Sequence, residues 1–173
     1  MNEKPLVGIL MGSDSDWNVM QAAAVILRQF AIPFEMLVSS AHRTPERTHQ
    51  YAATAAERGV QVIIAGAGAA AHLAGVVAAT TPLPVIGVPL SATGLQGLDA
   101  LLATVQMPGG IPVATMAIGE AGARNAALFA VRMLALHDRQ LAEKLAAFQR
   151  NMADEVQKKN DKLQVRLQEF LHS

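Results

Sequence analysis

Three features of the sequence predict an α/β fold, a three-layer sandwich with a parallel central sheet between helices. Short apolar runs alternate with amphipathic helical patterns from residue 6 to about residue 136. Residues 59–98 contain no Asp, Glu, Lys or Arg, as expected for strands buried on both faces. Hydrophobic residues make up 51% of the chain but aromatics only 4%, so Ala, Val, Leu and Ile must fill the interior, and such small side chains suit close helix-on-sheet packing.

Leu6–Met11 is an unbroken apolar run and reads as the first strand. In the helix predicted over Asp16–Phe30, Trp17, Met20, Ala24 and Leu27 recur at steps of three and four, which places them on one face; Ser13, Asp14 and Ser15 are good caps for it. Ile32-Pro33 ends the connection, and Phe34–Val38 supplies the second strand. Thr44-Pro45-Glu46 opens the next helix, because proline is preset for a first turn and glutamate favours the positive end of the dipole. That helix runs to about Arg58, where Gly59 stops it. Val60–Ala65 is then a strand, His72–Thr80 a helix, Val85–Val88 a strand, Leu98–Val105 a helix and Val113–Ile118 the fifth strand. Gly119–Leu136, rich in alanine and poor in charge, is a mostly buried helix. Right-handed crossovers between parallel strands put helices on both faces of the sheet.

The composition changes after Asp138. Leu141, Leu145, Phe148, Met152, Val156, Leu163, Leu167 and Phe170 recur at three, four or seven residues among Lys, Glu, Gln and Arg, marking one apolar stripe on a long C-terminal helical tail. Its weak point is the Lys158-Lys159-Asn160 patch. The stripe is expected to pack on another subunit or to fold back on its own sheet. The organisation is one α/β domain over residues 1–137 and a helical extension over 138–173.

The bulk numbers exclude several functions. Fourteen basic residues balance fourteen acidic ones, which argues against a nucleic-acid surface and against a polybasic membrane patch. Without cysteine there are no disulfides, thiol nucleophiles or Cys-ligated zinc. The apolar run near the amino terminus ends at Gly12, too soon for a secretory signal, and a cytoplasmic protein is expected. Glycines and prolines break residues 59–98 into pieces too short to span a membrane. No pair of histidines has the spacing of a zinc helix and no acidic cluster suits magnesium, so no metal site is expected.

Chemistry-bearing residues gather in three clusters, each just after an apolar run: Gly12-Ser13-Asp14-Ser15-Asp16, Ser40-Ala41-His42-Arg43-Thr44-Pro45, and Gly66-Ala67-Gly68 through His72. If those runs are neighbouring parallel strands, the clusters share the carboxyl edge of the sheet, where open α/β folds bind ligands. The first cluster offers backbone N–H groups and hydroxyls for a phosphate, or simply caps a helix. Asp14 and Asp16, two residues apart, do not face each other and make a poor acid/base dyad; Asp16 suits sugar hydroxyls.

In the second cluster His42, which titrates near neutrality, stands beside a fixed cation that favours the neutral ring, ready to accept a proton. Arg43 can clamp a phosphate or carboxylate through its fork of donors, or pair with Glu46. The third cluster nearly fits a dinucleotide fingerprint, yet no acidic residue for a ribose follows before Asp99. It reads instead as close backbone approach to a ligand, with His72 closing the site or capping the next helix.

Together with Gln106-Met107-Pro108, Gly110-Ile111-Pro112-Val113 and Ala117-Ile118-Gly119, these clusters resemble the class I N5-carboxyaminoimidazole ribonucleotide mutases of purine biosynthesis, from Leu6 to about Asp138. The resemblance implies a flavodoxin-like fold, a homo-octamer, and conversion of N5-carboxyaminoimidazole ribonucleotide to 4-carboxy-5-aminoimidazole ribonucleotide without a cofactor. It implies His42 as the acid/base. It also implies Ser13, Asp16 and Arg43 as ribonucleotide ligands, with Ser15, Ser40, Ala41, Gly68, Ala70, His72 and Leu73 completing the site. The chain departs from the family at Ala69, where glycine is usual, and at Ala74, where proline is common. Two rivals stand beside this reading: a carboxylase using free carbon dioxide, and a catalytically silent nucleotide-binding module.

Overall fold

A computed structural model describes residues 4–172. Among these residues the first apolar run forms β1 (Val7–Met11), buried at every position, with parallel partners on both sides. They are β2 (Phe34–Val38) and β3 (Val62–Gly68). β4 (Val85–Leu90) pairs with β3, and β5 (Ala114–Thr115) with β4, giving an all-parallel sheet in the order β2-β1-β3-β4-β5. The chain steps outward from β1 to β2 and then returns past β1 to β3. The order therefore reverses between β1 and β3, and a crevice opens there at the strands' carboxyl ends.

Helices α1 (Trp17–Gln29), α2 (Pro45–Arg58), α3 (Leu73–Ala78), α4 (Leu98–Val105) and α5 (Glu120–Ala135) connect or follow the strands. Glycines show which helix covers which face. A side chain at Gly8 would run into the Tyr51 hydroxyl of α2, and one at Gly87 into Thr104 of α4 and Ala74 of α3. One at Gly66, on the other face by strand alternation, would strike Met20 of α1. Three layers result. The α2 and α3 side is a core of Leu10, Ile63, Ala65 and Val85 from the sheet, packed against Ala52, Ala55, Leu73, Ala74 and Val77.

Several boundaries differ from those the sequence predicts. β3 begins at Val62 and runs on through Gly68, because Gly66, Ala67 and Gly68 stay paired with Val88, Pro89 and Leu90. β5 keeps only Ala114–Thr115 of the Val113–Ile118 run; Met116 and Gly119 still bond to β4 carbonyls, but Gly119 adopts φ +79° and turns the chain into α5. α3 ends at Ala78, two residues early. A single 3-10 turn, Asp14–Asp16, precedes α1.

The chain divides into two compact units, through Val131 and from Arg132 on. The second unit is dominated by α6 (Arg139–Leu171), capped by the Asp138 carboxylate, which accepts from the Leu141 amide at 3.0 Å. The expected weak point at Lys158-Lys159-Asn160 is helical throughout, bridged by Gln157 donating to Asp161 one turn on at 2.8 Å. Met152, Val156, Leu163, Leu167 and Phe170 of the stripe are exposed in the single chain. No helix among the described residues is long and apolar enough to cross a membrane.

Candidate active site

Three strand-end turns build the site. After β1, Ser13 and Asp16 form a reciprocal capping box: the Ser13 hydroxyl accepts from the Ser15 amide, and Asp16 Oδ2 accepts from the Ser13 amide at 2.9 Å. The Ser15 hydroxyl donates to Ser13 Oγ at 2.9 Å. Burial pushes the Asp16 carboxyl above its ordinary range, opposed by hydrogen bonds from the Ser13 and Gly12 amides. A carboxylate held this way is a strong acceptor for a ligand hydroxyl. The capping and ligand readings of this cluster are thus compatible, since the box fixes the turn and leaves both hydroxyls at the surface.

The turn after β2 is tied at both ends. Buried Ser39 bonds Thr48 of α2 at 2.8 Å through its hydroxyl, while its amide donates to the Met11 carbonyl of β1 at 2.8 Å. Thr44 closes residues 40–44, its amide donating to the Ser40 carbonyl at 2.8 Å and its hydroxyl bonding the Ser40 backbone. Pro45 then starts α2 as the sequence predicts, and Gly59, in the left-handed region, ends it. Within this turn Arg43 reaches across to β1, donating to the Gly12 carbonyl at 3.1 Å and to Ser40 Oγ at 3.4 Å. The ion pair with Glu46 is not made.

His42 sits beside Arg43 and meets His72 from the end of β3. Their nitrogens, His42 Nε2 and His72 Nδ1, are 2.9 Å apart, and the rings stand edge to face at 88°. When both rings are neutral, one of these nitrogens carries the shared hydrogen and the other accepts it, so each ring fixes the other's tautomer. His72 occupies the cap position of α3, yet its side chain makes no capping bond. Its side chain meets the His42 ring instead.

A cavity of about 500 Å³ joins these turns. Ser13, Ser15, Asp16, Ser40, Ala41, His42, Arg43, Gly68, Ala70 and Leu73 all line it; His72 reaches it only through His42. Ala92, from the loop after β4, is a wall that sequence reasoning missed. The signal was available, because a fourth parallel strand must deliver its own loop to the same edge. Next to this cavity lies another of about 400 Å³, sharing Gly12, Ser13, Ser40 and Arg43 and adding Arg47, a second guanidinium. Together the two hollows offer two guanidiniums, serine hydroxyls, the His42 imidazole and small apolar walls. Such a lining suits an anionic ligand.

The AIR carboxylase family model matches residues 6–155. The chain is 60% identical to the N5-carboxyaminoimidazole ribonucleotide mutase of Mycobacterium tuberculosis over 94% of this chain and 92% of that protein. It is 58% identical to the Mycobacterium leprae protein of the same name, covering 95% of each. Among solved structures, Treponema denticola PurE superposes with a TM-score of 0.81 at 28% identity, over 92% of this chain and 98% of that one. With the family model spanning every strand and every turn of the cavity, this chain belongs to the AIR carboxylase family.

Proposed function

We propose that the protein is an N5-carboxyaminoimidazole ribonucleotide mutase, moving a carboxyl group from the exocyclic amine of the substrate to a ring carbon, with His42 as general acid and base. The observation that carries this reading is His42, bonded to His72, in the lining of a cavity that also holds Arg43, Ser13 and Asp16. The relatives' names support the same activity.

The reaction conserves its atoms. The carbamate N–C bond breaks, the nitrogen gains a proton, carbon dioxide is held in the cavity, and the ring carbon attacks it to form a C–C bond. The ring carbon then loses its proton, so neither ATP nor a redox group is consumed. His42 delivers the first proton and removes the second, while His72 orients it and shares its hydrogen. Such proton transfers contribute about 10² to 10⁴ in rate.

Arg43 and Arg47 hold the phosphate end, Ser13 and Ser15 add hydroxyl donors, and Asp16 accepts from the ribose. Ala41 and Ala70 exclude water from the carboxyl group. The protein works in the cytoplasm as a homo-octamer, a reading supported by the exposed apolar residues of α6, which a neighbouring subunit would cover. An ultraviolet assay with the carbamate substrate, no ATP and low bicarbonate tests the activity. The family description, AIR carboxylase, favours one alternative, direct carboxylation by free carbon dioxide; turnover that requires added bicarbonate would support it.

A further inference from the structure

One wall of the cavity is a loop with little packing behind it. Ala92 lines the cavity where it meets β3, and a Cβ added to Gly68 would lie 2.5 Å from the Ala92 Cβ. Residues 91–96 are all exposed, so burial does not hold this wall in place. Thr93 does. Its hydroxyl donates to Asp99 Oδ2 at 2.8 Å and accepts from the Leu95 amide at 3.1 Å, the only side-chain hydrogen bonds of residues 91–97 among the described residues.

The backbone prepares this tie. The Gln96 amide donates to the Thr93 carbonyl at 3.1 Å, and Gln96 and Gly97, at φ +52° and +87°, turn the chain back so that Asp99 enters the first turn of α4 beneath the loop. Gly97 is itself buried; a Cβ there would lie 2.6 Å from Ile118. The loop is therefore anchored at Gly97 on its far side and at Leu90 of β4 on its near side, and between them the Thr93 hydroxyl is the side-chain tie next to Ala92. Asp99 Oδ1 is shielded from solvent with no hydrogen-bond partner among the described residues, so Thr93 is the carboxylate's one side-chain donor.

We propose that Thr93 is a positioning residue, which, anchored on Asp99, holds the Ala92 wall against the cavity so that carbon dioxide released there is captured by the ring carbon instead of escaping. The proposal rests on the mutase reading above. Neither side chain touches the reacting atoms. When the wall loosens, the carbamate takes up one proton, its N–C bond breaks, and carbon dioxide leaves, so that the free amine accumulates in place of the carboxylated ring.

The test compares the wild-type protein with Thr93→Val, which keeps the shape and loses the hydroxyl, and Thr93→Ser, which keeps the hydroxyl. Product and free amine are measured from the carbamate, after subtraction of the enzyme-free rate, together with Leu95 amide exchange and thermal midpoints. Loss of a hydrogen bond to a charged group should lower kcat/KM roughly tenfold in Thr93→Val and raise the share of free amine by a comparable factor. Thr93→Ser should restore both, and Leu95 exchange should accelerate only in the valine variant.

Wild-type partitioning in Thr93→Val, even with a lowered midpoint, would overturn the proposal, as would a serine variant that leaks as the valine variant does. A wild-type protein that leaves the carbamate unconverted would overturn the mutase reading itself, so the two failures are read from different arms.

Discussion

Asp16 carries two demands that pull against each other. As a cap it stabilises the turn after β1, and in its proposed role as ribose acceptor it has to remain charged in a half-buried place. Because its pKa is raised on folding, the folded protein binds this proton more readily than the unfolded chain does. The ionised carboxylate therefore lowers stability above its folded pKa, and that loss disappears as pH falls below the unfolded value of 3.8. Asp16→Asn should gain stability relative to wild type as pH rises from that value, then level off, as followed by denaturant unfolding across the range. The same variant should lose roughly 10- to 150-fold in kcat/KM, the usual effect of removing a charged hydrogen-bond acceptor. Higher stability with poorer turnover would mark Asp16 as a residue kept for its ligand.

Two further single positions test the packing. Gly8 lies under Tyr51, whose ring is fixed by Arg58 stacked 4.6 Å from its centroid, with Arg58 in turn paired to Glu35 at 2.9 Å. Burial, reinforced by Glu35, holds the Tyr51 phenol well above its ordinary range, so it stays neutral and in place. Gly8→Ala should lose about 1–3 kcal/mol by overpacking, measured by denaturant unfolding. Gly66→Ala should lose less, because the flexible Met20 side chain can give way.

Ala69 holds φ +52° in the turn after β3, a region that costs an L-residue roughly 1–2 kcal/mol, of which glycine's greater unfolded freedom would return roughly 0.5–1. Ala69→Gly should thus stabilise the protein by about 0.5–1 kcal/mol in chemical denaturation. The departure from the family's usual glycine, visible in the sequence, is here a strained turn residue on the rim of the site.

The strand-end clusters were legible because strand, turn and helix signals punctuate them: Pro45 and Gly59 bound α2, and Ser13 caps the turn before α1. What stayed hidden is what depends on pairing. Apolarity places Val60–Ala65 in a strand, but pairing starts β3 at Val62, and hydrogen bonding to β4 carries it on through Gly68. His42 and His72, thirty residues apart, meet because β2 and β3 flank β1 in parallel and deliver their following turns to one edge, a relation no local pattern encodes. Ser39 and Thr93 do their work through one hydroxyl each, and neither stands out from ordinary turn residues in the sequence.

Across the whole molecule, one parallel sheet brings the loops of β1, β2, β3 and β4 to a single edge, and the cavity draws residues from all four. The C-terminal helix adds a different requirement. Its stripe exposes Leu163 and Leu167 in the single chain, the kind of apolar surface that the proposed assembly would cover. If the proposed assembly forms through α6, Leu163→Glu combined with Leu167→Glu should lower the particle mass seen by light scattering relative to wild type while the far-ultraviolet circular dichroism of the domain is retained. An unchanged mass would count against α6 as a contact between subunits.

The central claim concerns one imidazole, and steady-state turnover of the carbamate by His42→Asn, without ATP and at low bicarbonate, tests it most directly. Wild type should form the carboxylated ring, and the variant should lose at least about 10²-fold in kcat while still binding the ribonucleotide, since both proton transfers rest on that ring. Turnover at the wild-type rate with intact binding would contradict the account.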